Sequence, residues 1–158
     1  RLGTVVEICA VAADAKSVVV FRNCTFDNAQ VLIEGMSGKT GIVDVTFENC
    51  TFNALTSSAP IYVQNYVTGK VTVTGCTFNL ECTSSTASAI SVSSSSSTVI
   101  ELIASNNTIN AVAATASGEN GTVEQVKVYG TPANIKFISC YANTTVTETG
   151  TIKLGIAV

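Results

Sequence analysis

The ionisable side chains limit the chemistry open to this chain of 158 residues, which contains no His. Hydrolysis of a glycosidic bond needs two carboxyl groups facing each other across a cleft, one of them a general acid. The aspartates are few and scattered along the sequence: Asp14, Asp27 and Asp44. An enzyme of this type would therefore need loops that bring Glu81 and Glu119 together, and no residue receives a catalytic role from the sequence alone.

Serine and tyrosine side chains offer two further kinds of chemistry. The run of five serines at 93–97 could supply a nucleophile, but a serine nucleophile needs a positioned base and the chain has no His to provide one. Four tyrosines could stack on a sugar ring: Tyr62, Tyr66, Tyr129 and Tyr141. Tyr62 and Tyr66 lie near one edge of a predicted strand set, although a half-buried tyrosine with its hydroxyl in water is a common surface feature. Tyr62, Tyr66, Glu81 and Glu119 are accordingly the candidate ligand-binding residues.

Charge and composition exclude several classes of partner. The net charge is -3 and the eight Lys and Arg residues are scattered, so no basic patch is predicted that could neutralise phosphates, and we expect no nucleic-acid partner. No apolar run approaches the roughly 20 residues that a membrane span needs, so we expect no membrane insertion. Because there is no His and no C-x-x-C motif, we also expect no metal site and no cofactor.

A degenerate internal repeat dominates the sequence. The segment Val19–Asp27 recurs as Val45–Asn53 and Val71–Asn79, and weaker copies are predicted at Leu102–Asn110 and Ile135–Asn143. The cysteines of the first three copies are spaced by 26 residues, after which the spacing lengthens to 31 and 33. Repeats of this length typically form stacked units that bury a shared core.

Each copy has two strand-like segments that a single residue separates. Val19 and Phe21 alternate with Val20 and Arg22, but the apolar parity breaks at Asn23, which predicts a bend there. Asn and Gly exchange at this position, which indicates a left-handed backbone conformation. The predicted turn column is Asn23, Asn49, Gly75, Asn106 and Ser139.

A further strand set completes each coil. These segments are Val31 to Glu34, Ile61 to Gln64, Ala89 to Val92, Val123 to Tyr129 and Ile152 to Ala157. Equivalent strands of successive coils should pair in parallel, about 4.8 Å apart. The predicted core column contains Cys24, Cys50, Cys76, Phe26, Phe52 and Phe78, with the cysteines mostly reduced and acting as small hydrophobic residues.

The predicted fold is therefore all-β: a right-handed, single-stranded parallel β-helix of about five coils with three short strands per coil. Residues 1–158 are expected to form one domain, in which residues 1–17 are an N-terminal cap or a degenerate first coil. The apolar segment at the end of the sequence leads us to expect a fragment of a longer protein, or a homo-oligomer formed through an exposed edge or flank.

The asparagine turn column and the aliphatic and Phe columns resemble those of the parallel β-helix repeat family. That group includes pectate lyases and other pectin-lyase-like enzymes, phage tailspikes and many bacterial surface proteins. Because the carboxylate clusters of the enzymes are not evident here, the resemblance favours a non-catalytic module of a secreted or cell-surface protein, such as a bacterial adhesin, that binds a polysaccharide, another surface glycan or a partner protein. The alternatives are a polysaccharide lyase or hydrolase, and a phage tailspike or fibre segment.

Overall fold

The computed structural model describes residues 3–10, 12, 15–38, 41–54, 59–64, 66–82, 86–94, 98–113, 122–130, 134–149, 151–152 and 156–157. The strands are β1 (Gly3–Cys9), β2 (Lys16–Arg22), β3 (Thr25–Asp27), β4 (Ala29–Glu34), β5 (Ile42–Glu48), β6 (Thr51–Ala54), β7 (Ile61–Val63), β8 (Thr68–Thr74) and β9 (Thr77–Cys82). They continue as β10 (Thr86–Ser94), β11 (Val99–Ser105), β12 (Thr108–Ala113), β13 (Thr122–Gly130), β14 (Ile135–Ile138), β15 (Thr145–Thr149), β16 (Thr151–Ile152) and β17 (Ile156–Ala157).

The strands enter three parallel sheets in strict rotation. The first sheet has the order β1, β4, β7, β10, β13 and β16, with β17 also pairing with β13. The second sheet contains β2, β5, β8, β11 and β14, and the third contains β3, β6, β9, β12 and β15. Each turn of the chain thus contributes one strand to each sheet, so the protein is a parallel β-helix with three strands per coil, as the repeat predicted. The strand β1 pairs with β4, which makes residues 3–9 part of the first sheet.

Stacked columns of identical side chains fill the core. Val45 pairs with Val71, and Phe52 lies between Phe26 and Phe78 with ring centroids 4.8 and 4.9 Å away. These parallel rings follow from the register, because the strand spacing is itself about 4.8 Å. The thiols of Cys24, Cys50, Cys76 and Cys140 are unpaired, and those of Cys50 and Cys76 are buried while that of Cys24 is partly exposed.

A left-handed residue turns the chain between the second and third sheets. Asn23, Asn49, Gly75 and Asn106 have φ of 53°, 52°, 63° and 56°. The backbone N–H of each reaches a carbonyl of the next coil; for example, Asn23 donates to Glu48 O at 3.0 Å. The bend therefore continues the interstrand ladder rather than interrupting it.

The register of the fifth coil differs from the prediction. Ile135 pairs with Ile100, whereas the repeat alignment had placed it opposite Leu102. Ser139 has a positive φ of 49°, but the side chain stacked on Asn106 is that of Asn143, whose Nδ2 donates to Asn106 Oδ1 at 3.1 Å. Asn143, rather than Ser139, is thus the fifth member of the stacked turn column.

An inserted bulge around Tyr141 explains the shift. Between the pairs Ile103–Ile138 and Thr108–Thr145 the later coil has two more residues than the earlier one. The extra length lets the Tyr141 hydroxyl accept hydrogen bonds from the backbone N–H groups of Gln125 and Val126, at 2.9 and 3.2 Å. Tyr141 itself has φ of 70°, an uncommon conformation for a bulky residue.

Candidate ligand-binding face

The outer side of the first sheet carries aromatic, hydroxyl and charged side chains close together. One row of paired residues runs across four strands: Leu32, Tyr62, Ser91 and Lys127. Tyr62 and Ser91 each lie between two buried aliphatic residues of their strand, so both side chains point away from the core. A neighbouring row, two residues further along the strands, pairs Ser93 with Tyr129.

Two tyrosines lie on this face, on either side of β10. Tyr62 is half-buried on β7, and Tyr129 is 49% exposed on β13. They are separated by two strand spacings and two residues along the strand, which amounts to roughly 12 Å for ideal geometry. The ammonium group of Lys127 lies 5.1 Å from the centre of the Tyr129 ring, within the range of a cation–π contact. The face thus combines aromatic surface, hydroxyl groups and a positive charge.

The other sequence-predicted ligand residues do not join this face. Tyr66 is exposed but follows the end of β7, has φ of 68°, and donates its backbone N–H to Thr98 Oγ1 at 3.2 Å. Glu81 is exposed on β9, which belongs to the third sheet. Glu119 lies outside the described residues. The sequence identifies both Tyr62 and Tyr129 as tyrosines that could stack on a sugar, but it favours Tyr62 with Tyr66 and does not point to Lys127. Only the strand register reveals that Tyr62, Tyr129 and Lys127 share a face.

A pair of carboxyl groups on the same sheet was also missed. Glu7 of β1 and Glu34 of β4 lie close enough for their side chains to interact. Burial, followed by hydrogen bonding with Glu7 and the Glu7 charge, raises the pKa of Glu34. Burial and the two carboxylates likewise raise the pKa of the Cys9 thiol. Carboxyl groups in direct contact leave no room for a scissile bond, since glycosidase pairs stand about 5–9.5 Å apart.

The ion pair between Arg22 and Glu48, one of those on the second sheet, is an ordinary surface contact. Arg22 Nε and Glu48 Oε2 are 2.7 Å apart, and their side chains are 67% and 40% exposed. Arg22 and Glu48 are register partners on β2 and β5, so this is a cross-strand ion pair. Such exposed pairs contribute about 0–1 kcal/mol, so the contact gives no sign of a reactive site.

The third sheet presents regular columns of threonine and amide side chains. The residues Asp27, Asn53, Asn79 and Asn110 form a continuous ladder in which each asparagine Nδ2 donates to the Oδ1 of the preceding coil. Beside it, Thr25, Thr51, Thr77, Thr108 and Thr145 are in register. The amides bind one another along the stack, which indicates a structural role for this column.

Comparisons with known proteins give no family for the chain: no family model, no curated protein and no solved structure matches it. Among the described residues, no three His, Cys, Asp or Glu side chains are grouped so that they could hold a metal ion. The part of the chain that the structure describes also contains no helix long and apolar enough to cross a membrane. The function must therefore be argued from the geometry of the faces.

Proposed function

We propose that this chain is a non-catalytic β-helix module that binds a glycan on the outer side of its first sheet. The observation that carries the proposal is the placement of Tyr62 and Tyr129 on one face, on either side of β10 and two residues apart along the strands. Aromatic rings provide rigid apolar contact area with a polar tip, and the partly exposed Ser93 on the strand between them can hydrogen-bond to a sugar hydroxyl. A separation of roughly 12 Å would let the two rings contact different sugar units of one chain.

The charge at one end of the row favours an acidic glycan. Lys127 keeps an ammonium group beside the Tyr129 ring, where it could pair with a carboxylate or sulfate group of the ligand. A polymer of this type fits the expected setting of a secreted or cell-surface protein. Neutral glycans would contact the tyrosines and Ser93 but gain nothing from Lys127.

The test is a glycan array of acidic and neutral polysaccharides, followed by titration of the best ligand against single variants. Tyr62→Ala and Tyr129→Ala should each weaken binding about 3- to 10-fold, the range expected for loss of one aromatic contact. Lys127→Gln should weaken binding of acidic glycans only, and it should reduce the salt dependence. Tyr66→Ala is the matched control, because it removes an exposed tyrosine from outside the face and should leave the affinity unchanged.

Three other outcomes would contradict the proposal. Equal losses in all three tyrosine variants would show that the predicted face is not the site. Degradation of a polysaccharide would instead favour a lyase or hydrolase. No glycan binding together with a trimeric mass by light scattering would favour a tailspike or fibre segment.

A further inference from the structure

The outer side of the first sheet also contains a buried carboxyl group without a full set of partners. Glu124 is only 4% exposed, and its Oε2 atom accepts no hydrogen bond. An ionised carboxylate withdrawn from water is costly unless another charge or donor compensates it. Within the described residues it is the one side-chain oxygen or nitrogen that is buried and unsatisfied in this way.

Two serine hydroxyls lie on the neighbouring strand. Ser88 pairs directly with Glu124, and its Oγ is 3.3 Å from Ser91 Oγ. Ser88 and Ser91 are 5% and 7% exposed, although Ser91 is on the outer side of the sheet. The side chain of Gln125 points inward to Asn107, so the preceding residue Glu124 points outward, to the same side as the serines.

The distance between the Ser88 and Ser91 hydroxyl oxygens bears on the size of an ion that both could bind. The two hydroxyls form a hydrogen bond of 3.3 Å, which is longer than the usual O–H···O distance of about 2.7–2.8 Å. This separation is close to the edge of a coordination shell, because two oxygens bound at right angles to an ion at about 2.4 Å stand about 3.4 Å apart. Magnesium, with bonds of about 2.0–2.1 Å, would require an edge of about 2.9 Å.

We propose that Glu124, Ser88 and Ser91 form an enclosed site for a hard cation with metal–oxygen bonds of about 2.4 Å, such as calcium or sodium. The ion would neutralise the buried carboxylate and use the two hydroxyl oxygens as further ligands, joining β10 to β13. This is a stabilising site, and it does not depend on glycan binding at the tyrosines of the same sheet.

Thermal unfolding of the cation-free protein, titrated separately with calcium, sodium and magnesium chloride, tests the site. Calcium or sodium should raise Tm by about 5–10 °C when the ion is at about 100 times its Kd. The salt whose effect on Tm saturates at the lower concentration identifies the ion. Magnesium should give a much smaller shift. Glu124→Gln should remove the cation-dependent part of Tm, whereas Glu81→Gln, which removes an exposed carboxylate elsewhere, should retain it.

A second variant tests the site independently, in case Glu124→Gln fails to fold. Ser88→Ala with Ser91→Ala keeps the carboxylate and should weaken cation binding at least 10-fold, as measured by equilibrium dialysis. No specific shift with any cation, or the same shift in Glu124→Gln as in the unmodified protein, would overturn the proposal. A Glu124→Gln protein that is more stable than the parent in every salt would likewise overturn it, because a bound cation would then not offset the cost of burying the carboxylate.

Discussion

Asn107 Nδ2 donates a hydrogen bond to Gln125 Oε1 at 3.2 Å inside the core, where the first three coils place cysteines. Asn107 Oδ1 also accepts the backbone N–H of Cys76 at 2.9 Å, and Gln125 Nε2 donates to Ala104 O at 3.3 Å. Thr144 Oγ1 donates to the same Gln125 Oε1 at 3.2 Å. A fully bonded polar network thus replaces the thiol column between the fourth and fifth coils.

Asn107→Cys should destabilise the protein, although it restores the repeat. The change leaves Gln125 and the Cys76 N–H short of partners, which should cost about 2–4 kcal/mol in the free energy of unfolding, measured in urea. Asn107→Cys combined with Gln125→Leu should cost clearly less than the sum of the single changes, because both polar groups are then removed. Additive losses would show that the two amides are not coupled.

The same network marks the place in the fold where prediction from the sequence failed. The first four copies share one apolar pattern, and each has an Asn or Gly at the same turn position. The repeat length and the residue types were therefore sufficient to predict three parallel sheets and the columns that contain Phe52 and Cys50. The fifth copy misled the alignment because Ser139 and Cys140 imitate the turn and thiol of earlier copies. The true equivalents, Asn143 and Thr144, follow a bulge that only the packing of Tyr141 explains.

The candidate face was harder to predict from the sequence than the fold was. Tyr62 stands alone in its strand, and Tyr129 lies 67 residues later in the sequence. They share a face only because β10 lies between β7 and β13 in the sheet. Asn28, with φ of 49°, makes a second left-handed bend directly after β3 and was missed, because the links after β6, β9 and β12 in the next three coils are longer.

Asn49 should tolerate glycine better than alanine. Its φ of 52° places it in the left-handed region, where a Cβ costs roughly 1–2 kcal/mol for most residues and glycine has no such penalty. We expect Asn49→Ala to lower the free energy of unfolding by about 1 kcal/mol and Asn49→Gly to change it by less than about half of that. Urea denaturation measures both, and equal losses would point to side-chain contacts rather than backbone conformation.

The amide ladder of the third sheet has a direction that mutations can reveal. Asn79 Nδ2 donates to Asn53 Oδ1 at 2.8 Å, and Asn53 in turn donates to Asp27 at the end of the ladder. Asn79→Asp removes the donor and places two acceptors together, so it should cost about 0.5–1.5 kcal/mol. Asp27→Asn keeps the terminal acceptor and should be nearly neutral. If chemical denaturation gave the reverse order, the assigned direction of the ladder would be wrong.

Acid should stabilise the first coil through Glu34. Its pKa in the folded protein is raised, chiefly by burial and then by the hydrogen bond to Glu7. A carboxyl group with a raised folded pKa binds a proton more tightly in the native state, so its contribution to stability is full below the unfolded value of 4.5 and is lost as pH rises through the folded pKa. Glu34→Gln should flatten this part of the pH profile of unfolding, and an unchanged profile would exclude the pair as its source.

The stacked thiols should differ in their reactivity in the native protein. Burial, with Cys50 nearby, raises the pKa of Cys76 to about 12, and burial also raises the pKa of Cys50. Alkylation requires the thiolate, so both should resist iodoacetamide at pH 8 and react once urea unfolds the chain. Cys24, which is partly exposed at the outer end of the column, should react first. Peptide mass spectrometry of timed samples separates the three, and rapid native labelling of Cys76 would be incompatible with the stacked register of β5, β8 and their turns.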